Sequence, residues 1–442
     1  MRCRTRLALG LALFAAGLAG PSQGERVPVV VTPGSEQSYR IALQTFADAS
    51  GVPDPTRATA FRDAIRTALS FSGVFSPVDE AAFLGPATSS LEDGPPVVCS
   101  DWTQIGADAL LEGRVERDFA NFTVAFTLWD ASRCKVLLRR RYSQPAASDP
   151  AGPARRIADD IVEAFIGLRG VSGTEIAFVS DRGGNKEIFV MNADGTNARA
   201  ATANQSINNF PDWSPDGDAI LYTSYRLMNR PFLFLSSRGR GRPGLVMQGL
   251  GDSHSQYRGV FAPEGSRLAI VMSDGGASDI YSVGADGRRL RRLTNSRSIE
   301  VSPAWSPDGE QMAFVSDRTG SPQIYIMDAD GSGARRLTFD GVYNTHPAWS
   351  PDGRWIAYET RVNGQFDIWL TDPEGTVSIP LVTNPRSDES PAWSPNSRKL
   401  VFSSTRRGRA DLYVIDRDGS NLLRITAGAG NNTSPSWGPF PR

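Results

Sequence analysis

The chain carries one motif six times at nearly constant intervals, and few folds accommodate that. An aromatic residue followed by a Ser-Pro-Asp-Gly-like turn appears as Trp213-Ser-Pro-Asp-Gly217, Phe261-Ala-Pro-Glu-Gly265, Trp305-Ser-Pro-Asp-Gly309 and Trp349-Ser-Pro-Asp-Gly353. Trp393-Ser-Pro-Asn-Ser397 and Trp437-Gly-Pro-Phe440 are degenerate copies. Successive aromatics stand 48, 44, 44, 44 and 44 residues apart. The turn glycines Gly195, Gly239, Gly287, Gly331, Gly375 and Gly419 are spaced 44, 48, 44, 44 and 44. The two irregular intervals overlap only between Gly239 and Phe261, so one four-residue insertion explains both.

Within each unit the period is two. Short runs such as Met312-Ala-Phe-Val315 and Ile324-Tyr-Ile-Met327 alternate with Asp-Gly and Pro-Asp-Gly turns. That is the pattern of antiparallel hairpins. Four strands per repeat of about 40–45 residues is the signature of a propeller blade. From Glu175 to Trp437 is 263 residues, close to six units of 44. The first blade lacks a preceding Trp strand and the last Trp strand lacks a following blade, so the C-terminal strand is expected to complete blade one. Closure of this kind removes the free sheet edges of an open array. Regularly placed Trp suits packing between blades, with a ligand stack as the alternative. Asp followed by Gly suits a turn former better than a metal ligand.

Upstream the repeat is absent. Arg2, Arg4 and Arg6 precede an uncharged apolar run from Leu7 to Leu18, then small residues, which is the layout of a secretory signal over 1–22. No other stretch is apolar and long enough to cross a bilayer. Residues 23–37 form an extended segment containing Val27, Val29, Val30 and Val31, a run able to pair with its own domain or lend a strand to a partner. Residues 38–168 mix strand-like runs with helical faces (Phe61, Ile65 and Leu69; Ile157, Ile161 and Phe165), indicating a small α/β domain. The fold class is therefore a two-domain α+β chain, the α/β domain followed by a six-bladed all-β propeller over 174–440. In the mature chain Cys99 and Cys134 remain. In an oxidising compartment they either pair or stay as two small buried side chains.

A net charge of −1 with interspersed signs argues against nucleic acid, whose binding rests on neutralising phosphates. With two histidines in the whole chain, His254 and His346, and no Cys in the propeller, a centre built on several His ligands is excluded. No Gly-x-Ser-x-Gly elbow or phosphate loop is present. No cofactor or metal is expected, and the chain reads as a non-enzyme. Just before each Trp strand stand polar residues that vary from blade to blade: Asn208 and Asn209; His254, Tyr257 and Arg258; Ser298 and Glu300; Asn344 and His346; Asp388 and Glu389; Asn431 and Asn432. Repetition puts these loops on one face around the axis, where they serve as a docking surface or as ordinary solvated loops. A propeller enzyme acting on sugar or peptide would draw on Glu300, Asp388 or Glu389. A small-ligand sensor would bind its ligand unaided.

Signal, small α/β domain and six Trp-Ser-Pro-Asp-Gly blades in this order resemble the TolB family of the Gram-negative Tol–Pal system, as does Trp102…Ile-Gly-Ala-Asp108…Glu-Gly113. The resemblance implies a monomeric periplasmic adaptor without direct membrane insertion. It implies that the lipoprotein Pal binds at the propeller loops and TolA at the N-terminal segment. A role in outer-membrane integrity and cell division follows from the same resemblance.

Overall fold

The computed structural model describes residues 38–442 apart from 51–54, 90–96, 147–148, 150, 238–243, 248–253, 274–275 and 429. The signal-like stretch and Val27, Val29, Val30 and Val31 lie outside the described residues. Among those described, no helix is long and apolar enough to cross a membrane.

The N-terminal domain is one sheet with two helices on a face. Strand β1 (Tyr39–Leu43) pairs in parallel with β3 (Phe75–Pro77) and β4 (Ala109–Arg117), while short β2 (Ala47–Asp48) also pairs with β4. Strands β5 (Asn121–Asp130) and β6 (Lys135–Pro145) continue as an antiparallel meander. Helix α1 (Pro55–Ser72) buries Ala58, Phe61, Ile65, Ala68 and Leu69, the i, i+3, i+4 stripe that a core-facing helix requires. Gly73 follows at φ 73°, a left-handed stop that costs glycine little. Helix α3 (Ala151–Ile166) covers the same sheet face with Ile157, Ile161 and Val162. On the opposite face Trp102, in α2 (Cys99–Thr103), packs with Ala42, Leu110 and Ala131. A disulfide joins Cys99 to Cys134 across this second cluster, Cα to Cα 5.6 Å. Closing a loop of that length is worth about 4 kcal/mol in the chain-entropy picture.

Residues 175–437 form six four-stranded sheets. Blades 2 to 6 each use consecutive strands, starting at Asn208, Ser255, Glu300, Asn344 and Asp388. Blade 1 is composite: strand Asn432–Trp437 pairs antiparallel with Glu175–Ser180, Thr433 opposite Val179 and Trp437 opposite Ile176. The first strand of every blade touches its counterpart in the next, and Asn432–Trp437 touches both Asp388–Trp393 and Asn208–Trp213. The ring is closed, six-fold, as the spacing predicts. Trp213, Trp305, Trp393 and Trp437 are buried; Trp437 packs with Val401 and Leu412 of blade 6 and Ile176 of blade 1. These aromatics are inter-blade core. The Asp-Gly turns serve the same seams. Gly287 and Gly331 adopt φ of 75° and 90°, and a Cβ there would run into the carbonyls of Val246 and Leu293 in the preceding blade.

Alternation of strand sense gives the disc two faces. The Ser-Pro-Asp-Gly and Asp-Gly turns share one, here the turn face; the loops leading into the first strands share the other, the loop face. The N-terminal domain is riveted to the turn face. Phe71, at the end of α1, enters the propeller cluster of Ile176, Val401, Leu412 and Trp437. Beside it Lys399 and Asp416 form a buried ion pair, with the ammonium 5.4 Å from the Phe71 ring centre. Arg155 reaches Asp194 at 3.6 Å, and Asn396 donates to the carbonyl of Arg169 at 3.0 Å. Asp159 holds the linker, accepting from the amides of Ser172 and Gly173 at 2.7 and 2.8 Å, while burial pushes its carboxyl up to about 6.

The closing strand sets the first prediction. Trp437→Ala is expected to cost about 3–5 kcal/mol, the usual loss for truncating a core Trp, and deleting residues 431–442 should abolish cooperative unfolding. Urea denaturation followed by fluorescence measures both; an unchanged midpoint in the deletion would refute closure by this strand.

Candidate functional site

Each first strand carries the same irregularity. Ladder register shifts between Asn209 and Asp212, and equivalently in every other blade. The bulged residue is left-handed in all six: Phe210, Arg258, Ser302, His346, Ser390 and Ser434 have φ of 53, 47, 56, 50, 56 and 49°. A side chain in that region costs on the order of 1–2 kcal/mol, so neighbours must hold it. They do so across blade seams. The Arg258 amide donates to Thr223 Oγ1 at 3.0 Å and the Ser390 amide to Glu359 Oε1 at 2.6 Å. In five blades a proline follows, which has no amide to give to a ladder.

Five of the six bulges aim their side chains at the axis. Phe210, Arg258, His346, Ser390 and Ser434 line a channel of about 300 Å³, walled further by prolines and tryptophans of the same strands. Arg258 lies over the Phe210 ring at 5.2 Å, and burial pushes its guanidinium down to about 10 although Glu359 and Asp212 pull it back up. Burial likewise raises Asp212 to about 7, against the opposing pull of the Phe261 amide, 2.8 Å away, and of Arg258. His346 Nδ1 lies 3.0 Å from Glu359 Oε1. Glu389 is raised by burial first and by the neighbouring Glu359 charge second. Among the described residues no group of three or more His, Cys, Asp or Glu is arranged to hold a metal ion.

The structure divides the sequence-derived loop set into three. Asn208, Glu300, Asn344, Asp388 and Asn432 open their strands and are fully buried, 0% exposed, so their side chains face the protein interior. They tie loops and blades together: Asn208 donates to Glu187 Oε2 at 2.8 Å, Asn344 to Gln323 Oε1 at 2.8 Å, and Glu300 takes both oxygens to Arg318 at 3.1 and 3.0 Å. Asp388 is bound by Arg406 at 2.9 Å, and Asn432 accepts from Arg182 at 3.0 Å. Arg258 and His346 belong to the channel. Asn209, Tyr257, Ser298, Glu389 and His254 remain partly accessible. The Tyr257 hydroxyl is 2.6 Å from Ser278 Oγ, and His254 lines a separate pocket of about 210 Å³ with Asp279 and Arg292.

Polarity reasoning overlooked the apolar members of the same face. Ile207, Ile299, Phe339, Val342 and Tyr343 stand in these loops, Phe339 and Val342 being 70% and 72% exposed. Apolar side chains flanking the Asp340-Gly341 turn, Phe339 before it and Val342 after it, are a signal that was readable. Phe210, Asp212 and Glu359 also escaped it, since only the bulge turns the first two inward. The proline two positions before each Trp marks that bulge in five of six blades.

The raised Asp212 carboxyl yields a pH prediction. Folding holds its proton from the ordinary carboxylate range near 4 up to about 7, so its contribution to stability declines as pH rises through that window and is level above it. Asp212→Asn, which keeps an acceptor for the Phe261 amide, should gain stability over the parent at pH 8 relative to pH 5. Equal urea midpoint differences at the two pH values would contradict the assignment.

Comparison with known proteins completes the description. The chain matches the TolB amino-terminal domain over residues 27–137 and the TolB beta propeller domain over 163–441. It is 36% identical over 306 residues to the Tol-Pal system protein TolB of Anaeromyxobacter sp. (strain K), spanning 69% of this chain and 68% of that one. With the protein of the same name from Dinoroseobacter shibae it shares 34% over 320 residues, 67% of each. The crystal structure of TolB from Acinetobacter baumannii superposes with a TM-score of 0.79 at 25% identity, covering 92% of this chain and 98% of the other. Closed ring, domain order and both domain matches agree, and the chain belongs to the TolB family of Tol–Pal system proteins.

Proposed function

We propose that this protein is a periplasmic, monomeric adaptor of the Tol–Pal system that docks the lipoprotein Pal on its loop face and engages TolA through the segment containing Val27, Val29, Val30 and Val31. In this reading it contributes to outer-membrane integrity and to cell division. The observation that carries it is the loop face itself. The N-terminal domain occupies the turn face, no described residue outside the propeller covers the opposite loops, and these present exposed Ile299, Phe339, Val342 and Tyr343. Apolar side chains clustered in exposed loops on a rigid scaffold mark protein contact surfaces. Asn209, His254, Tyr257, Arg258, Ser298, His346 and Glu389 supply the polar part of the surface, and the buried Asn208, Glu300, Asn344, Asp388 and Asn432 shape it from beneath.

A catalytic reading finds less support. Of the carboxylates it would draw on, Glu300 and Asp388 are enclosed and ion-paired with Arg318 and Arg406, out of reach of a substrate, which leaves Glu389 as the partly accessible one.

The soluble domain of the same organism's Pal provides the test, with affinity measured by titration calorimetry. His346→Ala, Arg258→Glu and Val342→Asp should each weaken binding about tenfold or more, as truncation of interface anchors does, with an unchanged melting temperature for His346→Ala and Val342→Asp. Normal affinity in both of the latter would overturn the docking face. For TolA, a chain beginning at residue 38 should lose capture of TolA while keeping Pal; retained capture would remove Val27–Val31 from that role.

A further inference from the structure

The formal charge of −1 conceals a concentration of exposed cations on one face of the propeller. On the loop face Lys186, Arg297, Arg361, Arg386, Arg407 and Arg409 are all exposed. Among the described residues of these loops the exposed carboxylate is Asp340; Asp181 and Asp317 are half-buried and hold loop backbone, Asp181 accepting from the Asn431 amide and Asp317 from the Ile299 amide. The buried carboxylates beneath, Glu300 and Asp388, are neutralised by Arg318 and Arg406 and leave no field outside. On the turn face the exposed turn residues include Asp216, Asp218, Asp286, Asp308, Glu310 and Asp330. Among the described residues the rim of the loop face is cationic, whereas the turn face mixes these acids with exposed Arg288, Arg289, Arg335 and Arg354.

We infer that the partner surface received by the loop face is an acidic protein surface with apolar side chains at its centre, steered onto the ring of arginines and seated on Ile299, Phe339, Val342 and Tyr343. This rests on the docking reading above and adds the chemistry of the partner. The choice of protein over phosphate follows from the same geometry. Arginine rims around apolar centres are typical of protein interfaces. The exposed Ile299, Phe339, Val342 and Tyr343 among the arginines would be left uncovered by a phosphate array, whereas an apolar patch on a protein covers them. Exposed charges act chiefly on association rate, by factors of about 10 to 1,000, and are screened beyond roughly 8 Å in physiological salt.

The test compares the wild-type protein, the triple variant Arg297→Glu/Arg386→Glu/Arg407→Glu and Val342→Asp in surface plasmon resonance against the soluble Pal domain. Phosphatidylglycerol vesicles and duplex DNA serve as alternative probes. The wild-type association rate should fall at least tenfold between 50 and 500 mM NaCl. The triple variant should associate at least tenfold more slowly at 50 mM, match wild type at 500 mM, and keep its melting temperature. Salt-independent association, or a triple variant equal to wild type while Val342→Asp is impaired, would overturn the acidic-partner inference and leave the docking reading in place. Normal capture by both variants would overturn the two together. Vesicle or DNA binding as tight as that of Pal would overturn the assignment to protein.

Discussion

Everything in this molecule depends on the antiparallel pairing of strand Asn432–Trp437 with strand Glu175–Ser180. A blade buries its two sheet faces only against neighbours, so six blades in a row would leave two unpaired ends. The composite blade removes both at once by hydrogen bonds between residues some 250 positions apart in sequence. Trp437 reinforces the seam with apolar contact on both sides, and its indole donates to Thr174 Oγ1 at 2.8 Å. Because the ring is closed, its loops are fixed relative to one another, and a surface assembled from six separate blades acquires a definite shape.

Within that ring the six bulges do more than disturb the ladder. Five of them use local backbone strain to turn a side chain into the channel, and those at Arg258 and Ser390 give the bulge amide to a neighbouring blade. The channel chemistry follows from this device, since Arg258 and His346 would otherwise project as ordinary strand residues. Arg258 of blade 3 is drawn to Asp212 of blade 2 and Glu359 of blade 5, so the axial cluster reports on how blades sit against each other.

The architecture was legible in the chain because repetition is redundant: six copies of an aromatic and a turn, at one step, leave little to chance. Strand boundaries, the α1 and α3 faces and the composite blade all follow from period and count. The site was legible only in position. Variation next to each Trp strand pointed to the right loops, yet polarity alone does not separate a buried hub such as Asn344 from an accessible group such as Glu389, one position apart in the repeat. Burial there is decided by contacts to the preceding blade, Gln323 in the case of Asn344, which have no local sequence mark. The apolar loop residues were passed over because a polar pattern was sought.

The placing of the N-terminal domain has a mechanical consequence. Its anchors are Phe71 against the blade 1 and 6 cluster, Arg155 on Asp194 of blade 1, and the Asn396 and Lys399 contacts of blade 6. All of them fall on blades 1 and 6, the composite blade and the blade that leads into its closing strand. Tension applied to this domain is therefore delivered to the closing sector of the disc, on the far side from blades 3 and 4.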